Sequence, residues 1–355
     1  MSTEQVLSNA RIVLADQIIS GSVLMRDGLI ADISEGPSAS GENFEGDYLI
    51  PGLVELHTDH LESHYSPRPG VTWDKTAAIQ AHDAQVASSG ITTVFDCLRL
   101  GSDEDGGFKR GEMRAMADAI QSASQENRLR ADHLLHLRCE VASSDVLEHF
   151  EDFETDPRVR LVSLMDHSPG QRQFQSMDQY IFYYQKKRGL SDDVFAKFIE
   201  RRVSASAQYS APNRDHLASV CARQGITVAS HDDATTAHVE EAIGHGVKLA
   251  EFPTSLEAAK ASHGAGMSVL MGAPNIVRGQ SHSGNIAARD LAELGVLDVL
   301  SSDYVPFSLL YAPFLIADQV ESIDLPEALR MVTATPARTV GLKDRGRIAT
   351  GLRAD

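Results

Sequence analysis

From Leu49 onward the chain alternates short apolar runs with helical patterns. The runs are eight: 49–57, 91–97, 133–140, 159–167, 226–231, 247–252, 267–273 and 296–303. Eight strand–helix units have one compact solution, a closed (β/α)8 barrel, TIM-like, with parallel strands inside and helices outside. Several runs end in a histidine or a carboxylate. His57-Thr58-Asp59 closes the first, Asp166-His167 the fourth, His231-Asp232-Asp233 the fifth and Asp303 the last. Side chains alternate along a strand, so His57 and Asp59 point the same way. Polar groups gathered at the C-terminal ends of separate strands mark the face where barrel active sites are built.

The barrel pattern predicts three parts. Residues 1–48 read as a small β-domain, with β-rich segments at Val6–Ala10, Arg11–Leu14, Ser22–Met25 and Leu29–Ile33 and a turn at Asp27-Gly28. Residues 49–340 form the barrel, and 341–355 return to the small domain through Arg345-Gly346-Arg347-Ile348. Two connections are long. Residues 60–75 read as an irregular loop, and 168–224 hold a loop and a charged helical region. Long loops at this face usually build the pocket.

Composition narrows the class. The net charge of −18 disfavours non-specific binding to nucleic acid. No apolar stretch reaches the ~18–20 residues of a membrane span. No basic segment leads into an apolar one at the N-terminus, so no secretory signal is read. Cys97, Cys139 and Cys221 are odd in number and widely spaced, which argues against disulfides or a zinc ribbon and for a reducing cytoplasm. The sequence leaves the oligomeric state open, with a homo-oligomer kept beside the monomer.

Imidazole and carboxylate groups at strand ends are metal ligands of the hard-to-borderline kind. Along 133–140, His136, Arg138 and Glu140 share one face, a run of charge that a barrel interior tolerates only when paired or metal-bound. The expectation is a site for two divalent ions, Zn²⁺ or Mn²⁺. Its ligands are His57, Asp59, Glu140, His167, His231 and Asp303, with Glu140 shared between the ions. Two such ions would acidify a water and polarise the bond under attack. Asp303 is the expected proton acceptor. Asp232 is expected to orient His231. His60 and His64 adjoin the first motif; they could face the pocket, although loop histidines are common.

The stretch Ile50-Pro51-Gly52-Leu53-Val54-Glu55-Leu56-His57-Thr58-Asp59 resembles the opening of an amidohydrolase-superfamily barrel. The runs Leu164–Gln171, Ala229–Thr235, Met271–Gly279 and Ser301–Tyr304 are similar to a diphosphatase branch of that superfamily, from phosphonate catabolism. The likeness extends over nearly the whole chain. It implies metal-dependent hydrolysis of a phosphorylated sugar, from a 5-triphosphate to a 5-phosphate and pyrophosphate. Two departures stand out. Asp59 occupies the place of the superfamily's usual second histidine. His167 and His231 fall on the fourth and fifth strands, where the superfamily usually pairs histidines on the fifth and sixth.

A polyanionic substrate on an acidic protein needs local cations. The candidates are Arg278, Arg172 and Arg68, with His282 near the Gly279 turn. Arginine's planar fork suits phosphate oxygens. Arg278 is preferred, because barrel phosphate sites often form from the loops after strands seven and eight. The competing readings are a C–N hydrolase of the same fold, a cyclic amidase or deaminase with a neutral pocket, and a non-catalytic subunit of a larger assembly. Convergence of the arginines on the ligand set separates the first two.

Overall fold

The structure, a computed structural model, describes residues 4–68, 70–101, 111–172, 181, 191–281 and 284–355. The first strands make a small mixed sheet: β1 (Glu4–Val13), β2 (Ile18–Arg26), β3 (Leu29–Glu35), β4 (Glu42–Asn43) and β5 (Tyr48–Leu49). β1 to β3 form an antiparallel meander, and β4 and β5 run parallel to β1. The two segments expected at 6–10 and 11–14 are one strand. A bulge between Leu7 and Ala10, with Asn9 at φ 55°, interrupts the alternation that suggested a break. Asp27 and Gly28 both take positive φ, 52° and 79°, as a type I′ hairpin turn requires.

The barrel follows, with strands β6 (Leu53–Thr58), β7 (Ile91–Leu100), β8 (Asp132–Glu140), β9 (Val159–Met165), β10 (Thr227–His231), β11 (Leu249–Glu251), β12 (Ser268–Gly272) and β13 (Val299–Ser301). They pair in chain order, all parallel. The ring closes through a parallel bridge between Thr58 and Asp303. The expected first strand, 49–57, divides at Pro51-Gly52. Proline lacks the N–H a ladder needs. A Cβ at Gly52 would sit 2.2 Å from the Thr92 hydroxyl, so only glycine lets the chain pass there.

Alternation explains how the site is raised on the core. Phe95, Leu161, Ala229, Leu249, Leu270 and Val299 form one buried cluster with Ala337 and Val340. Two residues further on, the same strand faces carry Ser163, His231, Glu251 and Ser301. A greasy lower layer thus gives way to a polar upper layer within one step of each strand. Helices pack outside, several started by side-chain caps: Asp74, Thr235, Ser255 and Asp324 each accept a backbone N–H three residues on.

Two connections differ from expectation. The start of the 60–75 segment is a helix, His60–Tyr65, because Leu61 and Tyr65, four apart, share a buried face. The 168–224 segment contains a 33-residue helix, Asp192–Gln224. Its Ser206 and Ser210 both donate to Asp166, at 2.8 and 2.7 Å, which fixes it over the end of β9. The C-terminal segment makes contacts with the small sheet. Ile348 packs with Ile12, Val23 and Ile30, but the contacts with β3 come from residues 351–354 rather than from a strand at 345–348.

Candidate active site and metal ligands

A cavity of about 370 Å³ opens at the C-terminal ends of the barrel strands. His57, Asp59, His167, His231, Asp232 and Asp303 line it, together with Arg99, Arg138 and Arg278. All but Arg278, which ends the helix Ala273–Arg278, come from the ends of strands or the residues just beyond. The strand count holds: His167 follows the fourth barrel strand and His231 ends the fifth.

Each histidine is held from behind by a carboxylate. Nδ1 of His57 and Nδ1 of His231 both lie 3.1 Å from the Glu251 carboxylate. Nδ1 of His167 lies 2.7 Å from Glu140. A carboxylate on Nδ1 fixes the tautomer and leaves Nε2 with its lone pair. The Nε2 atoms then face one another's carboxylates. His57 Nε2 is 4.0 Å from Asp59, His231 Nε2 is 3.4 Å from Asp232, and His167 Nε2 is 3.9 Å from Asp232. Ligand atoms of His167, His231 and Asp232 all lie within 4.8 Å of one another. Asp232 Oδ2 is buried with no hydrogen-bond partner among the described residues. A buried, unsatisfied carboxylate oxygen beside two imidazole lone pairs suits a bound cation.

Burial and neighbours set the charges. Burial pushes the Glu251 carboxyl up, but His57 and His136 beside it hold it well below the usual carboxylate range. Burial likewise opposes ionisation of Glu140, yet His167, Arg202 and Arg99 bring it down to about 2. Burial opposes charge on Asp59 too, and the neighbouring Arg138 outweighs it, so the pKa is lowered. Glu55 is the exception. Burial raises it to about 7, although its oxygens accept the N–H of His57 at 2.6 Å and of Ser302 at 2.5 Å.

Three turns at the cavity rim are strained. Asp232, Phe252 and Asp303 take φ of 57°, 52° and 52°. Each is held by a rung to a neighbouring strand: Asp232 N–H to Glu251, Phe252 N–H to Leu270 and Asp303 N–H to His57. Positive φ is uncommon for aspartate and costly for phenylalanine. At Phe252 it sets the ring edge-on to both His57 and His231, with centroids 4.9 and 5.5 Å away.

Several expected roles change. Glu140 does not line the cavity. One oxygen accepts the His167 N–H at 3.0 Å, the other faces His167 Nδ1, and Arg99 and Arg202 lie 3.7 and 3.8 Å away. A carboxylate so placed can orient the His167 ring. The carboxylate on His231 Nδ1 is Glu251, not Asp232, because Asp232 at positive φ turns toward the cavity. Arg172 is buried in ion pairs with Asp233 and Glu241 and faces a separate cleft. Burial and the neighbouring Arg214 lower its pKa to about 10. Arg68 is exposed and lines no part of the cavity. His282 lies outside the described residues. Of the proposed phosphate contacts among the described residues, Arg278 borders the cavity.

Sequence reasoning missed Glu251, Arg99 and Arg138. Arg138, noted only as a charge on a strand face, pairs directly with Asp59. Glu251 had a signal: it is the last-but-one residue of the sixth apolar run, as His231 is the last of the fifth.

A closed barrel with imidazoles and carboxylates converging at its C-terminal rim is the architecture of metal-dependent hydrolases. The chain belongs to the amidohydrolase family, whose sequence profile matches residues 48–355. It is 47% identical over 353 residues to α-D-ribose 1-methylphosphonate 5-triphosphate diphosphatase of Escherichia coli (strain K12), spanning 99% of this chain and 93% of that protein. Among solved structures, N-acetylglucosamine-6-phosphate deacetylase from Pasteurella multocida is similar, with TM-score 0.63 and 14% identity over 99% of this chain and 94% of that one. Dihydropyrimidinase from Brevibacillus agri gives TM-score 0.55 and 13% identity over 99% and 85%. At these identities the structures speak for the shared fold alone. No helix among the described residues is long and apolar enough to cross a membrane.

Proposed function

We propose that this protein hydrolyses α-D-ribose 1-methylphosphonate 5-triphosphate to the 5-phosphate and pyrophosphate, as a cytoplasmic step of phosphonate catabolism. The observation that carries this reading is the 47% identity across 99% of the chain to the E. coli diphosphatase. The cavity chemistry supports it. Arg99, Arg138 and Arg278 border the same cavity as the three histidines, and a neutral cyclic amide would have no use for such a set.

The ligand set fits two divalent ions, Zn²⁺ or Mn²⁺. His167, His231 and Asp232 would hold one, and His57, Asp59 and Asp303 the other. Bound there, the ions would acidify a water and neutralise charge on the phosphoric anhydride. The protein's own groups do the rest. Glu251 and Glu140 keep the three imidazoles in the tautomer that presents Nε2. Asp303 takes the proton from the attacking water. Its backbone is tied to the first ligand motif by rungs to His57 and Asp59 at 3.1 and 2.9 Å, so the carboxylate stays in register with that motif. Arg278, exposed at the cavity border, contacts the phosphates, and Arg138 and Arg99 add positive charge to the same cavity.

The test is product analysis. Purified protein is assayed for metal content, then incubated with the ribose 5-triphosphate and followed by phosphorus NMR. Pyrophosphate and the 5-phosphate should appear in equal amounts. Orthophosphate as the sole inorganic product, or no turnover by metal-loaded protein, would overturn the proposal.

A further inference from the structure

A second histidine cluster lies outside the cavity. His60 and His64 sit four residues apart on the helix His60–Tyr65, and His82 faces them from the helix Lys75–Ser88. Residues at that spacing share one face of a helix. Glu62, between them, lines the catalytic cavity, whereas none of the three histidines does. Ring nitrogens of the three lie within 4.8 Å of one another. His60 and His64 are 4.8 Å apart between ring centroids, and His60 and His82 are 5.9 Å apart.

The hydrogen bonding around the cluster is incomplete in one direction only. His82 is fully buried, and its Nε2 lies 3.0 Å from Asp96. Asp96 is held in turn by His133 at 2.8 Å, and His133 by Asp83 at 3.3 Å. On the cluster side the pattern stops. His60 Nδ1, His64 Nε2 and His82 Nδ1 are buried with no hydrogen-bond partner among the described residues. Leaving three buried ring nitrogens unmatched is costly. As cations, three touching imidazoles would repel one another; as neutral ligands they can share one ion.

From this geometry we infer that His60, His64 and His82 form a separate binding site for one divalent transition-metal ion, zinc being the best match. Three imidazoles on two helices, one of them backed by a carboxylate, are a known way to hold zinc, with a fourth position for water. The Asp96–His133–Asp83 chain supplies the supporting negative charge. The ion would clip the helix that begins just after Asp59 to its neighbour, and so stiffen the segment carrying the first ligand motif. This site stands on its own residues and does not depend on the substrate proposed above.

The test compares metal content and zinc affinity in whole protein. Metal-free wild type and the double variant His60→Ala/His64→Ala are saturated with Zn²⁺ alone, freed of excess and analysed for bound ions. The proposal expects the variant to bind one ion fewer per chain. Circular dichroism and a melting curve establish that the variant is folded. The single variant His64→Gln, a milder change, should weaken one class of sites by at least tenfold in a calorimetric zinc titration and leave the other class untouched. Equal ion counts in wild type and double variant, or unchanged zinc affinity in His64→Gln, would overturn the site. Neither readout requires turnover, so failure of the diphosphatase assay and failure of this site remain distinct results.

Discussion

Glu140 meets His167 twice: one carboxylate oxygen accepts the backbone N–H at 3.0 Å, and the other lies 2.7 Å from Nδ1. Both contacts fix His167 in place, and neither leaves an oxygen directed into the cavity. Glu140→Gln should therefore loosen a metal ligand without removing one. Metal affinity should fall by about 10- to 100-fold, the usual effect of losing such a support. Activity should return largely when metal is added in excess. A metal titration followed by turnover at saturation reads this directly. Loss of activity that no metal concentration restores would put Glu140 among the direct ligands after all.

Asp303 lies two residues beyond the last barrel strand and closes the ring through its bridge to Thr58. As the proton acceptor it should matter to the chemical step more than to binding. Asp303→Asn should lower kcat on the order of 10²- to 10⁴-fold. The effect on KM should be small by comparison. A loss confined to KM would contradict the role.

Arg278 was the preferred candidate in the sequence and Arg172 a second one, and their surroundings differ. Arg278 borders the cavity, while Arg172 is buried against Asp233 and Glu241. Losing one charge-assisted contact costs roughly 1.5–3 kcal/mol, so Arg278→Ala should lower kcat/KM about 10- to 150-fold. The loss should be greater for the triphosphate than for a substrate with fewer phosphates. Arg172→Ala should instead lower the melting temperature, because it strands the buried Asp233 carboxylate, at a cost of about 3–5 kcal/mol. Kinetics and melting curves on both variants should show the effects in opposite columns.

His133 gives a pH dependence. Its ring is buried between Asp96 and Asp83. Burial opposes its charge, but the two carboxylates outweigh burial and raise its pKa to about 9. A folded value above the unfolded one means the contribution is full below about 6.5 and is lost as pH rises through about 9. Its size is on the order of 3 kcal/mol. His133→Gln should be destabilised most near pH 6, and the gap to wild type should close by about pH 10. Denaturant melts across that range measure it; a gap that stays constant with pH would show that His133 is neutral in the folded protein.

The barrel and the address of its site were legible in the sequence for a local reason. Alternating apolar runs set the strands, and a residue that ends a run ends a strand wherever the strand goes. His57, Asp59, His167, His231 and Asp303 are therefore found at one rim, as their positions in the chain dictate. Glu251, one residue before the end of its run, was legible too and was missed because no histidine drew attention to it.

Partnership was decided by closure of the barrel. Glu251 serves His57, 194 residues away, and His231, 20 residues away, because the sixth barrel strand comes to lie within reach of both rings. Arg138 finds Asp59 across the barrel mouth, while Arg172, with the same side-chain chemistry, folds back onto Asp233. Asp232 turns toward the cavity at a positive φ, while Glu140 lies against His167. A hydrogen bond depends on a few ångströms and an angle between groups that the chain itself does not connect. The sequence determined which strand end each group occupies, and only the assembled ring of strands determined what each group meets there.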